Sequence, residues 1–383
     1  MKPLLRAAYL TIAIVVPIVS ASRVAAQNRT PQSTAGSDGP RQRTEFAFAA
    51  NQNSNNLSAY RIGAGGALTV LPGSPVTTGA APNAVAVDPA GKFVYVANTL
   101  SDNVSGYSIA TDGTLTPVAG SPFPAGSGTV SVTIDPTGRF LYSPSCGADC
   151  SGTGAGSVSA YTINRTTGAL TLVAGSPFTS GQFPYSVAVD FTGRFAYVAN
   201  YGSGTVSAFR ISSTSGALTA VKGSPFPAGT SPITAVVEPW NQFIYVANTA
   251  SNNISAYAIQ SDGSLKAVPG SPFSTGAYTY AVTADASGQY VYLSGGAGVY
   301  GFAIYNSGAL APLTGSPFAA GGYTNSVSVD PTNHFLYASN PYSGVYAFQF
   351  DDETGNLAPL AGSPFPAGAN TASVTTTSRQ HVW

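Results

Sequence analysis

Gly120-Ser121-Pro122-Phe123 is one of seven copies of a single tetrapeptide, the others beginning at Gly73 (as Gly-Ser-Pro-Val), Gly175, Gly223, Gly270, Gly315 and Gly362. Successive copies lie 47, 55, 48, 47, 45 and 47 residues apart. A near-constant period of this length, filled with short alternating apolar stretches and turn residues, is what a four-stranded unit needs. Seven such units in series imply an all-β ring closed on itself, because closure leaves few open sheet edges.

The unit from Ala81 to Phe123 shows how each repeat reads. Asn83 to Val87 alternates small and branched residues as a first strand, and Asp88-Pro89-Ala90-Gly91 supplies a turn. Phe93 to Ala97 is the second strand and Val104 to Ile109 the third; Thr111-Asp112-Gly113 turns the chain into a fourth, Leu115 to Ala119. The proline of the tetrapeptide removes a backbone donor, so it is expected to end strand pairing, with the phenylalanine wedged between neighbouring units. On that reading Phe226→Ala costs about 3–5 kcal/mol. Glu45 to Ala50 matches a second strand and Ala372 to Thr377 a first, so the two chain ends are expected to share one unit.

Of 383 residues only 8% are charged and 44% are apolar, with 43 Gly and 28 Pro. That is the composition of strands and tight turns rather than of disorder. The formal charge is zero, and no basic face is available for nucleic acid. Lys2 and Arg6 precede the apolar run Ala7 to Ser20, and Val24-Ala25-Ala26 suits cleavage before Gln27. The run is shorter than the roughly 20 residues a spanning helix needs. Residues 1–26 therefore read as an export signal, 27–43 as a flexible polar lead-in and 44–383 as the ring. A monomer in the periplasm or outside the cell follows, without a transmembrane segment once the signal is cleaved. In that compartment Cys146 and Cys150, inside the longest repeat, are most simply a disulfide. The two histidines, His334 and His381, lie far from this pair, so neither a metal nor another cofactor is expected.

The stretches Asp88 to Asn98 (DPAGKFVYVAN), Asp135 to Tyr142 (DPTGRFLY) and Phe191 to Asn200 (FTGRFAYVAN) resemble the lactonase-type, or YVTN-repeat, β-propellers, which include bacterial 6-phosphogluconolactonase-like proteins. The resemblance extends from about Glu45 to Thr377, in phase with the repeat. It implies a seven-bladed β-propeller of four-stranded antiparallel blades. It also implies a site at the mouth of the central channel, where catalytic members carry His and Arg near the starts of first strands. The matching positions here are Asn83, Val130, Tyr185, Ile233, Tyr280, Asn325 and Ala372. Tyr185 and the pair Ile233-Thr234 stand where that family's His and Arg-His are expected.

Asp88, Asp135, Asp190, Glu238, Asp285 and Asp330 all hold one turn position, which marks them as turn formers. Serine and threonine abound, but a hydroxyl without a partnering base is no nucleophile. The remaining candidates are Asn83, Tyr185, Tyr280 and Asn325 at the mouth, beside loop-starting asparagines at 51, 98, 200, 248 and 340. Those asparagines either cap their own turns or point toward the mouth. Amides and aromatic faces suit a small neutral ligand, a glycan or a protein partner. The first expectation is thus a binding or cell-surface interaction module that uses the channel mouth. The alternative, drawn from the resemblance, is a lactone hydrolase similar to 6-phosphogluconolactonase. N-terminal sequencing of the exported protein should start at Gln27; a chain still starting at Met1 would mean that the apolar segment is kept as an anchor.

Overall fold

The computed structural model describes residues 14–15, 45–147, 150 and 154–377. The signal and lead-in expected over 1–43 lie outside the described residues, apart from Ile14–Val15. Seven antiparallel sheets follow one another around a ring, confirming the seven-bladed propeller. Blade 1 runs outward from Pro82–Val87 through Phe93–Asn98 and Asn103–Ile109 to Leu115–Pro117. Blade 7 is built from both chain ends: its inner strand Thr371–Thr376 pairs antiparallel with Glu45–Asn51, placing Val374 opposite Ala49. The Ile14–Val15 backbone lies parallel to Ala84–Val85, on the channel-side edge of blade 1.

Inner strands start at one face of the ring, the mouth face, and end at the other, the turn face. At the turn face a carboxylate organises the connection to the second strand. Asp88 Oδ1 accepts the backbone N–H groups of Lys92 and Phe93, each at 2.6 Å, and Oδ2 accepts that of Ala90. Asp135, Asp190, Glu238, Asp285 and Asp330 do the same in their own turns. Burial pushes the carboxyls of Asp88 and Glu238 above their usual range while these N–H groups pull them back. Blade 7 has no such turn, because there the chain is open. Thr377 takes the carboxylate's place, and its Oγ1 accepts the Phe46 N–H at 3.0 Å.

The tetrapeptide does not end the blade as expected; it kinks the fourth strand in the middle. Leu115–Pro117 pairs with the far half of the third strand, and after the kink Phe123 pairs with Val104 in the near half. Between them the hydroxyl of Ser121 accepts the Gly106 N–H at 2.9 Å, standing in for a missing strand partner. All seven tetrapeptide serines make this bond, from Ser74 to Ser363. Pairing survives proline because a side-chain acceptor replaces the interrupted ladder. The phenylalanines pair within their own blades and also pack between blades as expected: Phe226, half-buried, lies against a cluster drawn from blades 3 and 4, and Phe365 against one from blades 6 and 7.

Adjacent blades grip one another through a tyrosine and a glycine. Tyr95, Tyr142, Tyr197, Tyr245, Tyr292 and Tyr337 on second strands donate to the carbonyls of Gly168, Gly216, Gly263, Gly308, Gly355 and Gly66 in the next blade's outer hairpin. Each glycine has left-handed φ and lies so close to an aromatic ring of the preceding blade that a Cβ on Gly168 would stand 2.5 Å from Phe93. Burial of the phenols raises their pKa, to about 12 already at Tyr60 on a third strand, so they remain neutral donors.

Deleting everything after Phe365 should remove the inner strand of blade 7 and lower the melting temperature sharply; equal melts of full-length and truncated protein would refute closure by pairing of the ends. Phe226→Ala should cost about 1–2 kcal/mol, less than a fully buried ring, and Asp135→Ala about 2–3 kcal/mol, because buried N–H groups lose their acceptor. Denaturant unfolding measures both.

Candidate functional site at the channel mouth

Five inner strands open at the mouth with an irregularity, and in blades 1, 3 and 5 it aims a candidate side chain. The ladder slips between Pro82 and Ala84, Pro184 and Ser186, Pro232 and Thr234, and Thr279 and Val282. The unpaired residues are Asn83, Tyr185, Ile233 and the pair Tyr280-Ala281. A bulge bends its strand and re-aims the extra side chain. The residue in front often has left-handed φ, as at Ala81 (53°), Phe183 (47°), Ser231 (56°) and Asn370 (55°). For a residue as bulky as phenylalanine this conformation is strained, and its surroundings must hold it.

What holds Phe183 is an aromatic cluster. Its ring centroid is 5.7 Å from Tyr185 and 5.2 Å from Tyr201, which opens the loop after the second strand of blade 3. Across the mouth Tyr280 and Tyr323, from blades 5 and 6, have centroids 4.8 Å apart. Tyr185, Ile233 and Tyr280 form a buried floor; Phe183, Tyr201 and Tyr323 are half-buried walls packed against it. Tyr278 and Tyr342, 57% and 86% exposed, add two further rings at this face. Burial raises the Tyr280 phenol above the usual tyrosine range, while a hydrogen bond with Tyr323 lowers it. The same bond, together with burial, raises Tyr323, as expected if Tyr323 is the donor and Tyr280 the acceptor.

The two candidate asparagines serve the ring itself. Asn83 is buried, and its Nδ2 donates to the Val130 carbonyl of blade 2 at 2.7 Å. Val130 gives its own N–H to Pro144, which has none to return; the Asn83 amide supplies the missing donor. Asn325 Nδ2 likewise donates to the Thr371 carbonyl of blade 7 at 3.1 Å, while its Oδ1 has no partner among the described residues. Of the other asparagines, those at 51, 98, 200 and 248 do not point toward the mouth. Each donates Nδ2 to the side chains five and seven positions later on the third strand, as Asn98 does to Asn103 at 2.8 Å and Ser105 at 2.9 Å. Asn340 donates instead to the Ala320 carbonyl.

Sequence reasoning missed Phe183, Tyr201 and Tyr323, which lie in loops outside the strand pattern. Their signal was an aromatic where most sister loops carry a small or polar residue: Ala81, Gly128, Ser231 and Asn370 at the position of Phe183 and Tyr323, and Gln52, Thr99 and Thr249 among those at the position of Tyr201. Lys92, Arg139, Arg194 and His334 lie in the turns of the opposite face, and Arg61 and Arg210 near the turn-face ends of third strands. Cys146 and Cys150 are bonded, with Cα atoms 4.9 Å apart, against Gly128 at the start of blade 2.

The model of the lactonase family, described as a seven-bladed β-propeller, matches residues 41–131 and 127–231. The chain belongs to this family. Its fold is similar to a Bacteroides fragilis protein provisionally assigned as a 6-phosphogluconolactonase, at 17% identity and TM-score 0.72, over 89% of this chain and 99% of that one. It is also similar to a periplasmic gluconolactonase of Pseudomonas aeruginosa, at 15% identity and TM-score 0.73, over 88% and 99% of the two chains. A protein of unknown function from Desulfotomaculum acetoxidans is similar at 16% identity and TM-score 0.69, over 88% and 99%. No curated protein matches the sequence. At these identities the likeness speaks for the fold. Among the described residues no helix is long and apolar enough to cross a membrane.

Asn83→Ala should lower stability by about 1–3 kcal/mol, because the Val130 carbonyl would be left buried without a donor. Unchanged denaturant unfolding of Asn83→Ala would show that this bond carries no weight.

Proposed function

We propose that this lactonase-family propeller hydrolyses a neutral, unphosphorylated sugar lactone at the tyrosine-walled mouth. The observation that carries the reading is the Tyr280–Tyr323 pair over a floor of Tyr185, Ile233 and Tyr280, at a face where the described residues provide no cation to clamp a phosphate. Family membership and the likeness to a periplasmic gluconolactonase support a lactone as the ring, and support export.

Aromatic faces hold a sugar by stacking on its C–H surfaces. The Tyr280 phenol, kept neutral by burial, has a proton to offer a ligand. Placed at the lactone carbonyl, that phenol stabilises the negative charge that develops when water attacks. A strained cyclic ester needs less help than an amide, so a neutral donor suffices where, among the described residues, no histidine or carboxylate is seen to bond these rings. Asn83 and Asn325 hold the blades that frame the site. A second reading, a sugar-binding surface module without turnover, is favoured by that same lack of a base.

Turnover of gluconolactone beside 6-phosphogluconolactone tests the proposal, with spontaneous hydrolysis subtracted. The neutral lactone should be hydrolysed and the phosphorylated one not. Tyr280→Phe should lower kcat about 10²–10³-fold, as loss of an oxyanion donor does, with KM nearly unchanged. Affinity should stay flat from pH 6 to about pH 9, because the raised Tyr280 and Tyr323 phenols stay neutral throughout, and should respond little to salt. Saturable turnover of the phosphorylated lactone would overturn the reading; binding without turnover would leave the surface module.

A further inference from the structure

A second recess opens beside the mouth, between blades 3 and 4. It is an open groove of about 440 Å³, lined by Tyr201, Ser203, Gly229, Thr230, Ser231 and Ser251, among others. That volume falls within the range of small-molecule sites. We infer that the natural ligand is a neutral oligosaccharide whose first ring occupies the mouth and whose second ring lies in this groove. The inference takes the place of the first ring from the proposed function and adds the direction in which the chain leaves it.

Tyr201 joins the two spaces. It packs against Phe183 and Tyr185 at the mouth, with its centroid 6.2 Å from Tyr185, and it also walls the groove. The repeat makes the feature specific to this blade. The residue after the second strand is Gln52, Thr99, Cys146, Thr249, Gly296 or Pro341 in the other six blades, and Tyr201 alone is aromatic. The rest of the lining is hydroxyl and backbone, without a charged side chain. One aromatic face among hydroxyls and amides is the chemistry of a sugar site rather than of a phosphate or peptide-carboxylate site.

The walls are fixed and kept low. The Ser251 hydroxyl accepts the Thr230 N–H at 3.0 Å and so ties the interblade loop to blade 4. A Cβ on Gly229 would stand 2.5 Å from that same oxygen. Ser203 bonds Thr205 at 2.9 Å. The loops therefore present a preformed surface, which lowers the ordering cost of binding.

Saturation-transfer NMR on the mature protein, with gluco-, galacto-, manno- and xylo-configured disaccharides beside their monosaccharides, tests the inference. At least one disaccharide should bind about tenfold more tightly than its monosaccharide, a gain of about 1.4 kcal/mol. Thr230→Phe, at an exposed position, should fill the groove and abolish this contrast while leaving monosaccharide binding unchanged. Thr230→Ser should keep it, and the melting temperatures of both variants report folding. Equal binding of mono- and disaccharides, or a preference that survives Thr230→Phe, would overturn the inference. These sugars carry no lactone, so loss of the hydrolase reading leaves the readout intact.

Discussion

Six of the seven inner strands have one edge with no strand beside it among the described residues, and the ring depends on how those edges are satisfied. Apart from blade 1, where Ile14–Val15 lies alongside, a blade pairs its inner strand outward only, so backbone groups on the channel side, and those displaced by the bulge at the mouth, lack a ladder partner. Neighbouring blades supply it with side chains. Asn83 donates to Val130, Thr133 to Val187, Thr234 to Tyr280 and Asn325 to Thr371, while the Ala235 and Val374 N–H groups reach Ser186 and Ser326. Ser294 completes the junction of blades 5 and 6. Small polar residues on the inner strands are thus required where a purely apolar strand would leave buried groups unpaired, which explains how a chain so poor in charge closes a channel.

This requirement limits what the mouth can do chemically. Six blades spend mouth-side or inner-strand polar groups on their neighbours, and the side chains left over include the aromatics at the bulges. A site made this way is rigid, neutral and ring-shaped. It is suited to holding an uncharged cyclic ligand, and the family likeness then weighs toward a lactone rather than a passive surface.

The architecture was legible because it is repeated. The period, the carboxylate of the first turn and the match of Glu45 to a second strand each recur or fail to recur in phase, so the seven blades and the shared seventh could be read from spacing alone. The fourth-strand kink was not legible, since proline signals an end unless a serine hydroxyl is known to take over the ladder. The asparagines misled for a related reason: their partners five and seven residues on are set by strand register, which residue type does not reveal. Tyr185 and Tyr280 were found by position. Phe183, Tyr201 and Tyr323 escaped because loops carry no period.

Blade 7 has one more consequence. Glu45 opens its second strand and Thr376 closes its inner strand, and antiparallel pairing puts both at the turn face. The chain therefore enters and leaves the ring from behind, opposite the tyrosines. A domain fused directly after Thr377 would stand at the back of the disc and leave the aromatic face turned outward.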